Sequence, residues 1–163
     1  MKTPEMNTQR SASGFTLVEM LVSVAVLTIV IVGTFNVFVQ SIRSYNETSL
    51  MRNAAVRASV ALDRMVIGVG TNNGLREAVA GSVVLTYPNG TDWKLAYTNN
   101  LYFTYTASTK SITDQSGKTI CTNVISSTAT NPTGGCQISV SVAESGGGRT
   151  LTNTMTTFVQ FRN

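Results

Sequence analysis

The hydrophobic pattern of the chain changes abruptly at Phe15. The stretch before it is short and polar. From Phe15 to Ile42 the only charge is Glu19, and Met20–Val39 runs for 20 residues with none. A helix rises about 1.5 Å per residue, so such a run spans about 30 Å, the thickness of a hydrocarbon core. After Gln40 the pattern becomes amphipathic. Met51, Ala55, Ala58, Leu62, Met65 and Val69 recur at alternating spacings of four and three, while Arg52, Ser59 and Asp63 lie off that stripe. This spacing predicts a helix with one buried face. Arg43 and Glu47 have the four-residue spacing of an exposed helical pair. No proline interrupts residues 15–67. Gly33, Thr34 and Asn36 lower helix propensity and mark a candidate bend or melted turn.

The segment Gly68–Gly74, with its glycines and asparagines, predicts the end of the helix, followed by a short helical or looped piece over Leu75–Ala80. From there the period falls to two. Val83, Leu85 and Tyr87 alternate, Pro88–Thr91 reads as a turn, and Trp93, Leu95, Tyr97 and then Leu101, Phe103, Tyr105 continue the alternation. Residues 111–137 form the irregular part, with a turn at Asp114–Gly117. Ile138, Val140 and Val142 predict another strand. The last strand carries Leu151, Met155, Val159 and Phe161 on one face and Thr150, Thr152, Thr154 and Thr156 on the other. Such a meander has one buried and one solvated face, and the long helix is its natural cover. The expected fold class is α+β: a long N-terminal α-helix, transmembrane in its first half and amphipathic in its second, packed on a C-terminal antiparallel β-sheet head. The expected divisions are a leader at 1–14, a membrane and assembly helix at 15–40, an amphipathic continuation at 41–69 and the β head at 70–163.

An ordinary cleaved signal peptide fits the N-terminus poorly, because its apolar region is about 7–15 residues and precedes its cleavage site. A plain single-pass anchor leaves Glu19 unexplained, since a carboxylate at a membrane-embedded helix end is costly unless paired. Lys2, Arg10 and Glu5 precede the apolar run and Arg43, Arg52 and Arg57 follow it, so charge counting does not orient the span.

The string Ser13-Gly14-Phe15-Thr16-Leu17-Val18-Glu19-Met20-Leu21 resembles the prepilin-type signal of type IV pilins and type II secretion pseudopilins. The resemblance implies cleavage by a prepilin peptidase after Gly14, N-methylation of Phe15, and a pairing of Glu19 with the N-terminal amine of a neighbouring subunit during assembly. It further implies a single pass through a bacterial inner membrane with the head outside, and packing of the helix with other pilin or pseudopilin subunits. Ala61–Met65 and the tail ending Val159-Gln160-Phe161-Arg162-Asn163 resemble the larger minor pilins, a group that includes the pilin W and pseudopilin J types. The second reading is a tethered or tip-located binding module for a secreted substrate, DNA or a surface.

Composition narrows the chemistry. Charged residues are 12% of the 163, with a formal net charge of +4. The cations are scattered, so the clustered patch that phosphate backbones require is lacking, and nucleic-acid binding is not supported. There is no histidine, which removes the commonest general base and metal ligand. Lys94, Lys110, Lys118, Asp92, Asp114 and Glu144 have no recognisable catalytic spacing and read as solvated groups. Gly146–Gly148 lacks the Lys-Ser/Thr continuation of a phosphate loop. No Asp-x-Asp cluster predicts calcium. The expectation is a non-enzyme with no cofactor and no metal. The two cysteines, Cys121 and Cys136, in a chain with an export-type start predict one disulfide. A loop of about 15 residues would gain about 3 kcal/mol from it.

Overall fold

The structure is a computed structural model and describes residues 14–69, 72–97, 101–131 and 134–162. One helix, α1 (Leu17–Ile67), is followed by strands β1 (Gly68–Val69), β2 (Asn72–Asn73), β3 (Val84–Thr86), β4 (Trp93–Tyr97), β5 (Leu101–Thr106), β6 (Ser111–Asp114), β7 (Thr119–Cys121), β8 (Val124–Thr130), β9 (Gly135–Gly146) and β10 (Arg149–Gln160). A 3₁₀ turn covers Leu75–Glu77. The fold class is α+β, as the alternation of periods predicts. By internal packing the chain divides into two compact units, Met1–Arg43 and Ser44–Asn163, and α1 contributes to both.

In the first unit α1 is continuous through Gly33, Thr34 and Asn36, so no turn of it is melted there. Every described side chain of the apolar run is exposed except the half-buried Val39. Hydroxyls within it are satisfied by their own helix: Ser23, Thr28 and Thr34 donate to the carbonyls of Glu19, Val24 and Val30. A hydroxyl bonded back to the preceding turn carries little desolvation cost into an apolar medium.

In the second unit the buried face of α1 is Ala54, Ala58, Ala61, Leu62 and Met65. The expected stripe shares Ala58, Leu62 and Met65 with it, but Met51 is 47% exposed and Ala55 only half-buried. Burial selects the small residues, because alanines let the helix backbone approach the strands. Met65 and Leu62 then reach one core with Trp93, Leu95, Phe103, Ile112, Ile138, Val140 and Val142. Each such large apolar side chain contributes about 1.5–3 kcal/mol on burial. Tyr97 stacks on Phe103 with ring centroids 5.3 Å apart, and Trp93 tilts against Tyr105 at 6.1 Å.

The strands form two main sheets rather than one meander: β3-β4-β5-β6-β7 and β10-β9-β8, each antiparallel, with β1-β2 as a small ribbon. The expected irregular region 111–137 holds β6, β7 and β8. Its strands are three to seven residues long and rich in Ser and Thr, so their period is visible only through Ile112, Ile120 and Val124. The turn at Asp114–Gly117 is present. Glu47 pairs with Arg149 at the start of β10, not with Arg43.

Three of the polar residues expected to be solvated hold turns or an ion pair. Asp92 accepts from the Ala107 amide at 2.7 Å. Glu144 pairs with Arg57 at 2.9 Å. Asp114 is buried, and one of its oxygens accepts from the Ser116 amide, the Ser116 hydroxyl and the Lys118 amide at 2.9, 2.6 and 2.9 Å. Burial pushes its carboxyl up, but the Ser116 hydroxyl, the Lys118 and Ser116 amides and the Lys118 charge together hold it below the ordinary 3.8. A depressed folded pKa stabilises the fold above the unfolded value, and that gain disappears as pH falls through the folded value. The urea midpoint is therefore expected to drop on acidification below about pH 4, and Asp114→Asn should flatten part of that drop. An unchanged acid limb in the variant would remove Asp114 from the account.

Candidate functional site at the N-terminal segment

Gly14, Phe15 and Thr16 precede the helix in non-helical conformation, and all three are exposed. Among the described residues nothing lies within 4 Å of where a side chain at Gly14 would begin. Phe15 is 78% exposed. The Gly14–Phe15 bond thus lies on exposed, non-helical chain immediately before a helix. Residues 1–13 lie outside the described residues, and the leader expectation falls on them except for Gly14.

Helix α1 starts at Leu17, which makes Thr16 its N-cap and Glu19 its third residue. The Thr16 amide donates to Glu19 Oε2 at 3.0 Å, the Thr16 hydroxyl donates to the same oxygen at 3.1 Å, and the Glu19 amide donates to Thr16 Oγ1 at 3.3 Å. This is a reciprocal capping box, which satisfies helix-end donors that have no partner within the helix. Its carboxylate also complements the positive end of the helix dipole. The signal for it, Thr-x-x-Glu ahead of an apolar run, was present in the sequence, but Thr16 was not singled out there. Both bonds to the carboxylate fall on Oε2, so Oε1 remains available to a second donor.

Beyond the cap the helix is long and apolar enough to cross a membrane, with a mean hydropathy of 2.4 over its most apolar 18-residue window and none of that window buried. Val30, Ile31, Thr34, Phe35 and Phe38 line a shallow apolar surface on it.

The two cysteines lie in the second unit, apart from each other. Both are buried and free. The Ala143 amide of β9 donates to the Asn123 carbonyl at 3.0 Å, which fixes Cys121 near the Glu144 end of β9. Cys136 lies seven residues earlier in the same strand, about 23 Å along it. Their α-carbons are thus separated by roughly 10 Å or more, beyond the roughly 7 Å that a disulfide bridges. The expected Cys121–Cys136 bond is replaced by two thiols at opposite ends of the β8–β9 hairpin. Loop length along the chain carries no information about the hairpin that the residues between them form. Burial pushes the Cys136 thiol up to about 11. Burial also raises Cys121, against the opposing charge of Arg57, the Thr122 backbone and Arg64. Both act as small apolar residues with little thiolate. Among the described residues no group of three or more His, Cys, Asp or Glu side chains could hold a metal.

A family model described as a prokaryotic N-terminal methylation motif matches residues 9–35. Searches of curated proteins and of solved structures gave no match. The chain therefore carries the N-terminal motif of type IV pilin-like, prepilin-type proteins. The motif implies processing by a prepilin peptidase and assembly with other pilin subunits, and with the apolar helix it fits a membrane-anchored pilin. The match stops short of Ala61–Met65 and of the C-terminal tail, so it does not reach the residues that resemble the pilin W and pseudopilin J types.

Proposed function

We propose that this chain is a minor pilin or pseudopilin, a structural subunit of a type IV pilus or a type II secretion pseudopilus. Its precursor sits as a single-pass protein in a bacterial inner membrane with the head outside. A prepilin peptidase cuts between Gly14 and Phe15 and methylates Phe15. The mature helix then packs against neighbouring subunits, driven by burial of its exposed apolar residues and aligned by Glu19. The observation that carries this reading is the conjunction in one segment: the methylation motif, an accessible Gly14–Phe15 bond, a capped helix start, and an uncharged helical run with its side chains outward. The alternative of a binding module rests on open grooves in the head, one of about 310 Å³ beside Tyr87, Tyr105 and Ser126–Thr128 and one of about 360 Å³ beside Arg57, Arg64 and Cys121, and the shape of neither names a ligand.

The test is the intact mass and N-terminal sequence of the full chain after co-expression with an active prepilin peptidase. The expected product begins at methylated Phe15. A chain that still begins at Met1 beside a processed control substrate would leave a simple membrane anchor.

A further inference from the structure

Helix α1 and strand β7 border a groove of about 360 Å³ on the head. Val56, Val60 and Arg64 recur every four residues along one stripe of α1, with Arg57 beside them. Ile120 and Cys121 of β7 and the adjacent Thr122 form the opposite wall. All seven belong to the unit Ser44–Asn163. The stripe runs beside the buried face of the helix, and its apolar side chains stay open to solvent. Val56 is 53% exposed and Val60 40%, while Ile120 and Cys121 beside them are almost wholly buried. The groove therefore has a continuous apolar floor.

Two guanidinium groups flank this floor, and they differ in what compensates them. Arg57 Nε lies 2.9 Å from the Glu144 carboxylate, so its charge is neutralised. Arg64 donates to a neutral acceptor, the Ile120 carbonyl, at 3.4 Å. Among the described residues no carboxylate lies within ion-pair distance of Arg64. Its bond to Ile120 crosses from α1 to β7 and holds the guanidinium over the groove. The other N–H donors of Arg64 have no partner among the described residues. Both arginines act on the same place: burial raises the Cys121 thiol pKa, and the charges of Arg57 and Arg64 each oppose that rise. One uncompensated positive charge, that of Arg64, is thus fixed beside an apolar floor.

We propose that this groove binds a small apolar monocarboxylate, with the carboxylate on Arg64 and the hydrocarbon body on Val60, Val56 and Ile120. A planar guanidinium fork matches a carboxylate in two parallel hydrogen bonds. A monoanion neutralises Arg64 exactly once. A phosphate dianion would bring a second negative charge towards Glu144, which already satisfies Arg57. The stripe from Val56 to Arg64 is about 12 Å long, room for an extended chain of about eight carbons. A volume of about 360 Å³ stands at the lower end of small-molecule sites. The groove lies in the head, so this assignment goes beyond the assembly role and is independent of the processing of the N-terminus.

The experiment titrates the full chain in non-ionic detergent with hexanoate, hexanamide, acetate and inorganic phosphate, following the arginine side-chain N–H resonances. Hexanoate is expected to shift Arg64 saturably. Hexanamide has the same body without the charge, and acetate the charge without the body. Each should bind at least tenfold more weakly, as should phosphate. Hexanamide also enters micelles at least as readily, so it controls for partitioning. Arg64→Gln keeps an N–H donor for Ile120 but loses the charge, and should weaken hexanoate at least tenfold. Val60→Glu places a carboxylate in the groove and should abolish binding. Both positions are exposed, and the probe comparison on the unaltered chain decides the question even where a variant fails to fold. No saturable shift, equal responses to hexanoate and hexanamide, tighter binding of phosphate, or indifference to both variants would each overturn the proposal. A tripeptide ending in leucine that binds tenfold tighter than hexanoate would replace the small molecule by a protein terminus.

Discussion

Replacing Glu19 by Ala is expected to remove the subunit from filaments while leaving its processing intact, and two neighbouring variants separate the reasons. In the structure Glu19 closes a capping box with Thr16. In the proposed assembly it also neutralises the amine of an adjacent Phe15. Glu19→Ala loses both. Glu19→Gln keeps a side chain that can close the box, since glutamine serves at this position, but carries no charge. Thr16→Val keeps the charge and loses the cap, which costs about 1 kcal/mol. An amine left uncompensated in a dry interface costs about 3 kcal/mol or more, about a hundredfold in incorporation. Glu19→Gln should therefore fail nearly as badly as Glu19→Ala, and Thr16→Val should assemble close to normally. The measurement is the fraction of mature subunit recovered in sheared filaments, with the N-terminus of each variant checked by mass. Normal incorporation of Glu19→Gln together with failure of Thr16→Val would make Glu19 a helix cap and nothing more.

The parts of this molecule that were legible in the sequence are those written in strong contrasts. The break at Phe15 and the uncharged run after it fixed the helix, because few other arrangements tolerate so many consecutive exposed apolar side chains. Trp93, Leu95, Tyr97, Phe103 and Tyr105 announced their strands because large residues alternate there with small or polar ones. The less legible parts have weak contrast or depend on distant neighbours. Strands β6–β8 alternate Ile or Val with Ser and Thr in very short runs, so their period barely rises above that of a loop. Met51 satisfied the helical spacing, yet Ala54 and Ala61 took the buried face, since the sheet surface sets how closely the helix can approach. The cysteine pairing failed for a related reason: spacing along the chain says nothing about a hairpin that carries the two residues to opposite ends. The Thr16–Glu19 capping box is legible in the sequence alone, since it is a local pattern that needs no tertiary knowledge.

Gly74→Ala is expected to destabilise the head more than a methyl added at a glycine with open space around it. Gly68–Gly74 read as a segment that stops the helix, and α1 does end at Ile67. The structure assigns Gly74 a narrower task. Its amide donates to the Ile67 carbonyl at 3.2 Å, and its carbonyl accepts from Glu77 at 3.0 Å, which ties the helix end to the following 3₁₀ turn. Its φ of −79° is available to any residue, so backbone conformation does not require glycine there. Space does: a methyl group would overlap the Val66 carbonyl and the Gly68 amide, all main-chain atoms that cannot rotate aside. Overpacking of this kind costs about 3 kcal/mol when nothing yields. The comparison is Gly90→Ala. Gly90 has a φ of +80° and open space around it, so that substitution meets backbone strain alone, about 1–2 kcal/mol. Urea unfolding followed through Trp93, the only tryptophan, reads the difference directly, because its side chain is wholly buried in the same core. Equal midpoints for the two variants would mean that the turn shifts freely and that Gly74 is not the tie between helix and strands. The expected result has a consequence for assembly. Gly74 belongs to the unit Ser44–Asn163, and the Gly14–Phe15 bond belongs to the other. A Gly74→Ala precursor should still be cut at Phe15 at the normal rate, while its head unfolds and mature protein is lost. Glu19→Ala should give the opposite phenotype, a folded and abundant mature subunit that does not enter filaments.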